Sequence, residues 1–254
     1  MTSTKTTTTT SVDSSQSNNI NNNCHALAKI LRQDSNSIVV LDGGTGEELF
    51  RRGVPDDRNI WSATAVVNEA YHDILRQVHR SFVQAGAQLI TTNSYGIVPG
   101  VGFAEENIKR HCETAGRLSR QVADERPGTM VLGSLGPLLE SYRPDKVMEH
   151  DQGVAVYETM ARALLPFVDS FLAETMSSLE ESTQAVDAVS KLTIDHTMPC
   201  LVSYTLNAQG NLRSGENVTH AIPRLLDFAE QRNVQGMYTS AIAINTLMCH
   251  KDYL

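Results

Sequence analysis

The chain has no apolar run approaching the roughly eighteen residues that a membrane-spanning helix needs, and its N-terminus has no apolar signal core, so a soluble, intracellular protein is expected. It also has no basic excess: 21 Lys and Arg stand against 29 Asp and Glu, a formal charge of −8. A nucleic-acid backbone would call for the opposite balance, so no nucleic-acid partner is expected. Cysteine is sparse and scattered at Cys24, Cys112, Cys200 and Cys249, with no two at CxxC spacing. Neither a disulfide framework nor a four-cysteine zinc module follows, and reduced cytoplasmic thiols are the simpler expectation. Residues 1–23 contain no Arg, which removes the basic face of a transit peptide. They are almost entirely Thr, Ser, Asn and Gln, too polar to order themselves, and read as a disordered tail.

What remains, residues 24–254, is long enough for one sizeable α/β domain. Strand-like and helix-like segments alternate through it. Ile38, Val39, Val40 and Leu41 form a continuous apolar run that reads as a strand covered on both faces. Asn68 to Gly86 has a helical stripe of Ala70, Ile74, Val78 and Phe82, with Gly86 placed to stop it. Further strands are expected at Leu89–Thr92, Met130–Leu132, Asp169–Leu172, Pro199–Tyr204 and Gly236–Ile244. Helical stripes through Ile108 to Val122, Val156 to Leu164, Leu179 to Val189 and Val218 to Ala229 lie between them. This order predicts a (β/α)8 TIM-type barrel with about six βα units present in this chain. The count is two strands short of a barrel. Either the last two units lie beyond this chain or the fold is an open sheet, and open edges of that kind predict self-association.

The chemistry-bearing residues fall at the ends of these strands, where α/β enzymes hold their substrates. Asp42-Gly43-Gly44 follows the first run, Thr92 to Gly96 the second, Gly133-Ser134-Leu135-Gly136-Pro137 the third and Glu174-Thr175-Met176 the fourth. Asp42 and Glu174 could together hold an ammonium group, and amides exposed at Gly43 and Gly44 could receive a carboxylate. Both needs belong to an amino acid. Each element also has a plain structural reading: Asp-Gly-Gly as a turn, Glu174 as a helix N-terminal charge, Gly133 to Pro137 as a loop, Tyr95 as a core or rim aromatic.

These motifs in this order resemble the homocysteine S-methyltransferase family. The resemblance rests on Leu41 to Leu49, Trp61-Ser62-Ala63, Ala85-Gly86-Ala87 with Leu89 to Tyr95, Gly133 to Pro137, Glu174-Thr175, Ser203-Tyr204 and Leu212-Arg213-Ser214-Gly215. It implies methyl transfer from a sulfonium donor to the homocysteine thiol, giving methionine, with Asp42, Gly43, Gly44, Ser134 and Glu174 forming the substrate cradle. It also implies a zinc ion held by three cysteines, because coordination converts a thiol of pKa near ~8.5 into a thiolate at neutral pH. The chain departs from the pattern there. Thr246 stands where the first zinc cysteine belongs, the later cysteine pair has no counterpart, and Cys249 beside His250 is the nearest substitute. Impaired transfer follows if those ligands are lost. Two alternatives stay open: a non-catalytic degenerate barrel that binds an amino acid or a partner, and a hydrolase using Asp42 and Glu174 as an acid/base pair.

Overall fold

A computed structural model describes residues 38–192 and 198–232, and the backbone of 243–244. The polar tail, the rest of the segment Gly236–Ile244, Thr246, Cys24, Cys249 and His250 lie outside the described residues. Five parallel strands form one sheet in sequential order: β1 (Leu89–Thr91), β2 (Met130–Leu135), β3 (Ser170–Met176), β4 (Cys200–Tyr204) and β5 (Ala243–Ile244). The helices α1 (Thr45–Arg51), α2 (Thr64–Val67), α3 (His72–Gln84), α4 (Glu105–Ala123), α5 (His150–Leu164), α6 (Leu179–Ser190) and α7 (Val218–Gln231) alternate with them. Neighbouring helices α4 with α5 and α5 with α6 pack side by side along the sheet. This is the strand-by-strand advance of a (β/α)8 barrel. Among the described residues no helix is long and apolar enough to cross a membrane.

The first expected strand is reduced. Leu41 makes a single parallel bridge to Leu89, and the run is not covered on both faces: Ile38 is 85% exposed, and Val40 and Leu41 are exposed as well. The expectation took cover from composition, but cover depends on a neighbour at the outer edge, and the described residues contain none. α3 is anchored by Leu75, Val78, His79 and Val83 and ends at Gly86, whose φ of +109° only glycine adopts readily. Ala70 lies outside that stripe, exposed in a short 3-10 turn.

Strand alternation sorts the interior into two cores. Leu89, Met130, Leu132, Leu172 and Leu201 point to one side and cluster with Val39, whereas Ile90, Val131, Leu135, Phe171, Ala173, Cys200, Val202 and Tyr204 face the helices. Moving up each strand by two residues from the inner layer gives Thr91 above Leu89, Ser134 above Leu132, Glu174 above Leu172 and Ser203 above Leu201. A polar layer therefore caps the apolar one at the carboxyl ends of the strands. β2 runs through Ser134 and Leu135, in register with Leu172 and Ala173, so Gly133 to Leu135 of the expected loop are strand and the chain leaves the sheet at Gly136. Gly133 serves packing there: a Cβ would come within 2.8 Å of the Phe171 ring.

Below this layer Asp169, fully buried, fastens the start of β3 to α4. Its carboxylate takes the Arg120 guanidinium at 2.5 Å and the Val131 amide at 2.7 Å, and Arg120 also donates to the Phe167 carbonyl at 2.9 Å.

Candidate functional site

Asp42 leaves the Leu41 bridge with its backbone amide bonded to the Leu89 carbonyl at 2.9 Å. That placement carries its carboxylate to the end of β1, where it accepts the Thr91 amide at 2.8 Å and the Thr91 hydroxyl at 3.1 Å. Burial pushes the Asp42 carboxyl up to about 7; the Thr91 bonds pull the other way and the charge of Glu174 adds to the rise. Glu174 is also raised by burial, and the bond from the Ser134 hydroxyl offsets part of that. Ser134 is itself fully buried, bonded through its amide to Thr92 Oγ1 at 2.9 Å and through its carbonyl to Ser94 Oγ at 2.7 Å. A short hydroxyl network thus holds Ser134, and Ser134 holds Glu174.

Glu174 lies within β3 and not at a helix N-terminus, because the strand continues to Met176. Strict alternation would turn Thr175 away from Glu174's side. The register shifts between Ala173 and Met176, and Thr175 has a φ of +64°, costly for a β-branched residue. This bulge lets the consecutive residues Glu174 and Thr175 both line one cleft, while Met176 joins the helix-side core beside Tyr204.

The cleft has a volume of about 850 Å³. Gly43, Gly44, Thr45 and Gly46 line it at the start of α1, where no side chain caps the helix. Phe50, Trp61, Tyr95 and Tyr142 supply aromatic wall, and Glu47, Asp56 and Glu140 add carboxylates; Arg58 is the basic lining residue and is paired with Asp56 at 2.9 Å. Among the described residues, the three non-glycine residues with positive φ, Trp61, Tyr142 and Thr175, all line this cleft. Strain of that kind persists where surrounding structure enforces it, commonly at binding sites. Tyr95 is not a rim aromatic with its hydroxyl in water: it bonds Ser141 Oγ at 2.6 Å, and burial raises its phenol.

Asp42, Gly43, Gly44, Ser134 and Glu174 are therefore brought to one place, with Ser134 behind Glu174 and Asp42 joined to the lining residues Gly43 and Thr91. Sequence reasoning missed Thr91, the bulge at Thr175, and the wall formed by Phe50, Glu140, Ser141 and Tyr142. A Thr directly above an inward-facing Leu was the available signal for the first; the others had none locally. Among the described residues no three His, Cys, Asp or Glu side chains converge as metal ligands. Cys112 and Cys200 are buried thiols facing the helix layer, with pKa values raised by burial. The described residues do not fit a three-cysteine zinc site.

A parallel-strand α/β fold with an acidic, aromatic-walled cleft at the strand ends defines the general class. The homocysteine S-methyltransferase family model matches residues 39–251, and the chain belongs to that family. It is similar to the Escherichia coli homocysteine S-methyltransferase, 27% identical over 217 residues, covering 78% of this chain and 68% of that protein. The Bacillus subtilis homocysteine S-methyltransferase YbgG is 25% identical over 174 residues, covering 60% of this chain and 55% of its own length. The chain thus spans about half the length of the latter. The crystal structure of the homocysteine methyltransferase MmuM from Escherichia coli, in its metallated form, superposes with a TM-score of 0.66 at 25% identity, covering 79% of this chain and 74% of that one.

Proposed function

We propose that the cleft binds the amino-acid part of homocysteine and presents its thiol for methylation by a sulfonium donor. The observation that carries the reading is the Asp42 and Glu174 pair: two desolvated carboxylates, each raised by burial, with no ion-pair partner among the described residues. Such a pair is poised for a cation, and an ammonium group satisfies both charges and their remaining lone pairs. Ser134 orients Glu174, Thr91 orients Asp42, and the amides at Gly43 and Gly44 receive the ligand carboxylate. The acidic aromatic wall suits a positively charged methyl donor. In the transfer, the homocysteine sulfur forms a bond to the methyl carbon, the donor's sulfur–methyl bond breaks with its electron pair staying on the donor sulfur, and the thiol proton leaves to water.

Zinc enters this reading as a family expectation, and no step is routed through it, since Thr246 occupies the first expected cysteine position and the described residues offer no ligand set. Where the three-cysteine set is lost, transfer is impaired, while amino-acid binding, which uses carboxylates and amides, is retained. The protein is read as cytoplasmic, and the exposed edge at Ile38 to Leu41 as a route to self-association. Calorimetry with L-homocysteine, paired with methionine formation from S-methylmethionine or S-adenosylmethionine, tests the reading. Saturable binding lost in Asp42→Asn supports it; a chain that binds no amino acid refutes it.

A further inference from the structure

Tyr142 belongs to the segment between β2 and α5, and Arg213 to the segment between β4 and α7; the two meet across the end of β3, where Glu174 and Thr175 emerge. Arg213 is fixed at its base by the Leu206–Leu212 bridge and by its amide, which donates to the Thr205 carbonyl at 3.3 Å. Its Nε donates to the Tyr142 carbonyl at 3.3 Å, and its guanidinium lies 5.2 Å from the centroid of the Tyr142 ring. No ion pair claims this guanidinium among the described residues, so its interactions are directed at one residue. That residue has a φ of +65°, a conformation tyrosine does not keep without support. Tyr142 lines the cleft, and its phenol is close enough to Glu174 to feel its charge. The adjacent Ser141 bonds Tyr95, also a lining residue.

We propose that Arg213 is a positioning residue: by gripping both the carbonyl and the ring of Tyr142 it holds residues 140–142 as a wall of the cleft, and the cleft's affinity for an amino acid depends on it although it does not line the cleft. The ligand side of this inference rests on the amino-acid reading above. A planar guanidinium can grip a carbonyl and a ring together, whereas lysine keeps the charge and loses the fork.

The test uses the full chain with Arg213→Ala and Arg213→Lys, following hydrogen exchange of residues 139–147 and binding of L-methionine by calorimetry. In Arg213→Ala the segment's amides exchange about 10-fold faster, and the methionine Kd rises roughly 5-fold to 10-fold. Arg213→Lys recovers part of both, while exchange in α4 and α5 stays at the wild-type rate, which separates positioning from general destabilisation. Unchanged exchange of residues 139–147 in Arg213→Ala overturns the inference. Faster exchange with unchanged affinity overturns its link to the ligand. If the wild-type chain binds no methionine, the amino-acid reading falls, and the exchange comparison alone decides whether Arg213 holds Tyr142.

Discussion

Binding of an α-amino acid in this cleft should release protons, and the amount follows from the Asp42 carboxyl. With a value of about 7 in the free protein, Asp42 is roughly 90% protonated at pH 6, about half at pH 7 and about 10% at pH 8. An ammonium placed against it lowers a carboxyl by as much as roughly 3 units, which returns Asp42 close to its ordinary range near ~3.9. Each binding event then expels ~0.9 proton at pH 6, ~0.5 at pH 7 and ~0.1 at pH 8 from Asp42. Affinity rises with pH in step with the ionised fraction, about tenfold between pH 6 and pH 8. L-Methionine is the suitable ligand, since it has no thiol to titrate. Isothermal calorimetry in two buffers of different ionisation enthalpy reads the proton count directly. Asp42→Asn should flatten most of the dependence. Methionine binding without proton release, at an affinity constant from pH 6 to pH 8, would contradict an ammonium seated on Asp42.

The same carboxyl sets a stability signature with the opposite sign to most acids. Because the fold raises Asp42, its contribution is fully present below the ordinary carboxyl range near ~3.9 and is lost as pH rises through about 7, by no more than ~4 kcal/mol. Asp42→Asn should therefore unfold at a higher temperature than wild type at pH 8 and close to it near pH 4 in thermal melts without ligand; equal behaviour at both pH values would contradict this. Asp169→Ala leaves the Val131 amide and one Arg120 nitrogen without their buried acceptor, while Arg120 keeps the Phe167 carbonyl and Asp124, and should cost about 3 kcal/mol in urea unfolding, against less than ~1 kcal/mol if the pair were dispensable. A chelator should leave the methionine affinity of the purified chain unchanged, because the proposed cradle uses carboxylates and amides alone; a several-fold loss restored by zinc would show that metal supports binding.

Much of the site was legible because strand position is a local property. Asp42-Gly43-Gly44 follows an apolar run, Glu174 follows another, and both belong to the same end of a parallel sheet, so their convergence follows from the fold class. What misled was composition standing in for conformation. Gly133-Ser134-Leu135-Gly136-Pro137 has the residues of a turn, yet Gly133 is there to admit the Phe171 ring, and strand pairing continues to Leu135. The run Ile38 to Leu41 has the composition of a covered strand, but cover comes from a neighbour and not from the run itself. The bulge at Thr175 is a register shift against β4, and the grip of Arg213 on Tyr142 joins residues 71 positions apart. Neither has a periodicity to betray it. The family resemblance named the activity class from spaced motifs, whereas the desolvated carboxylate pair supplies the physical reason for an amino-acid ligand.

In the proposed cradle Asp42 and Glu174 together hold the ligand's ammonium group. The most direct measurement compares L-methionine with 4-methylthiobutanoate, which keeps the carboxylate and thioether but lacks the amine, by calorimetry at pH 8. Losing the ammonium leaves two buried carboxylates unpaired, so the account predicts at least a ~100-fold weaker Kd for the deaminated analogue; equal affinity for the two would contradict it.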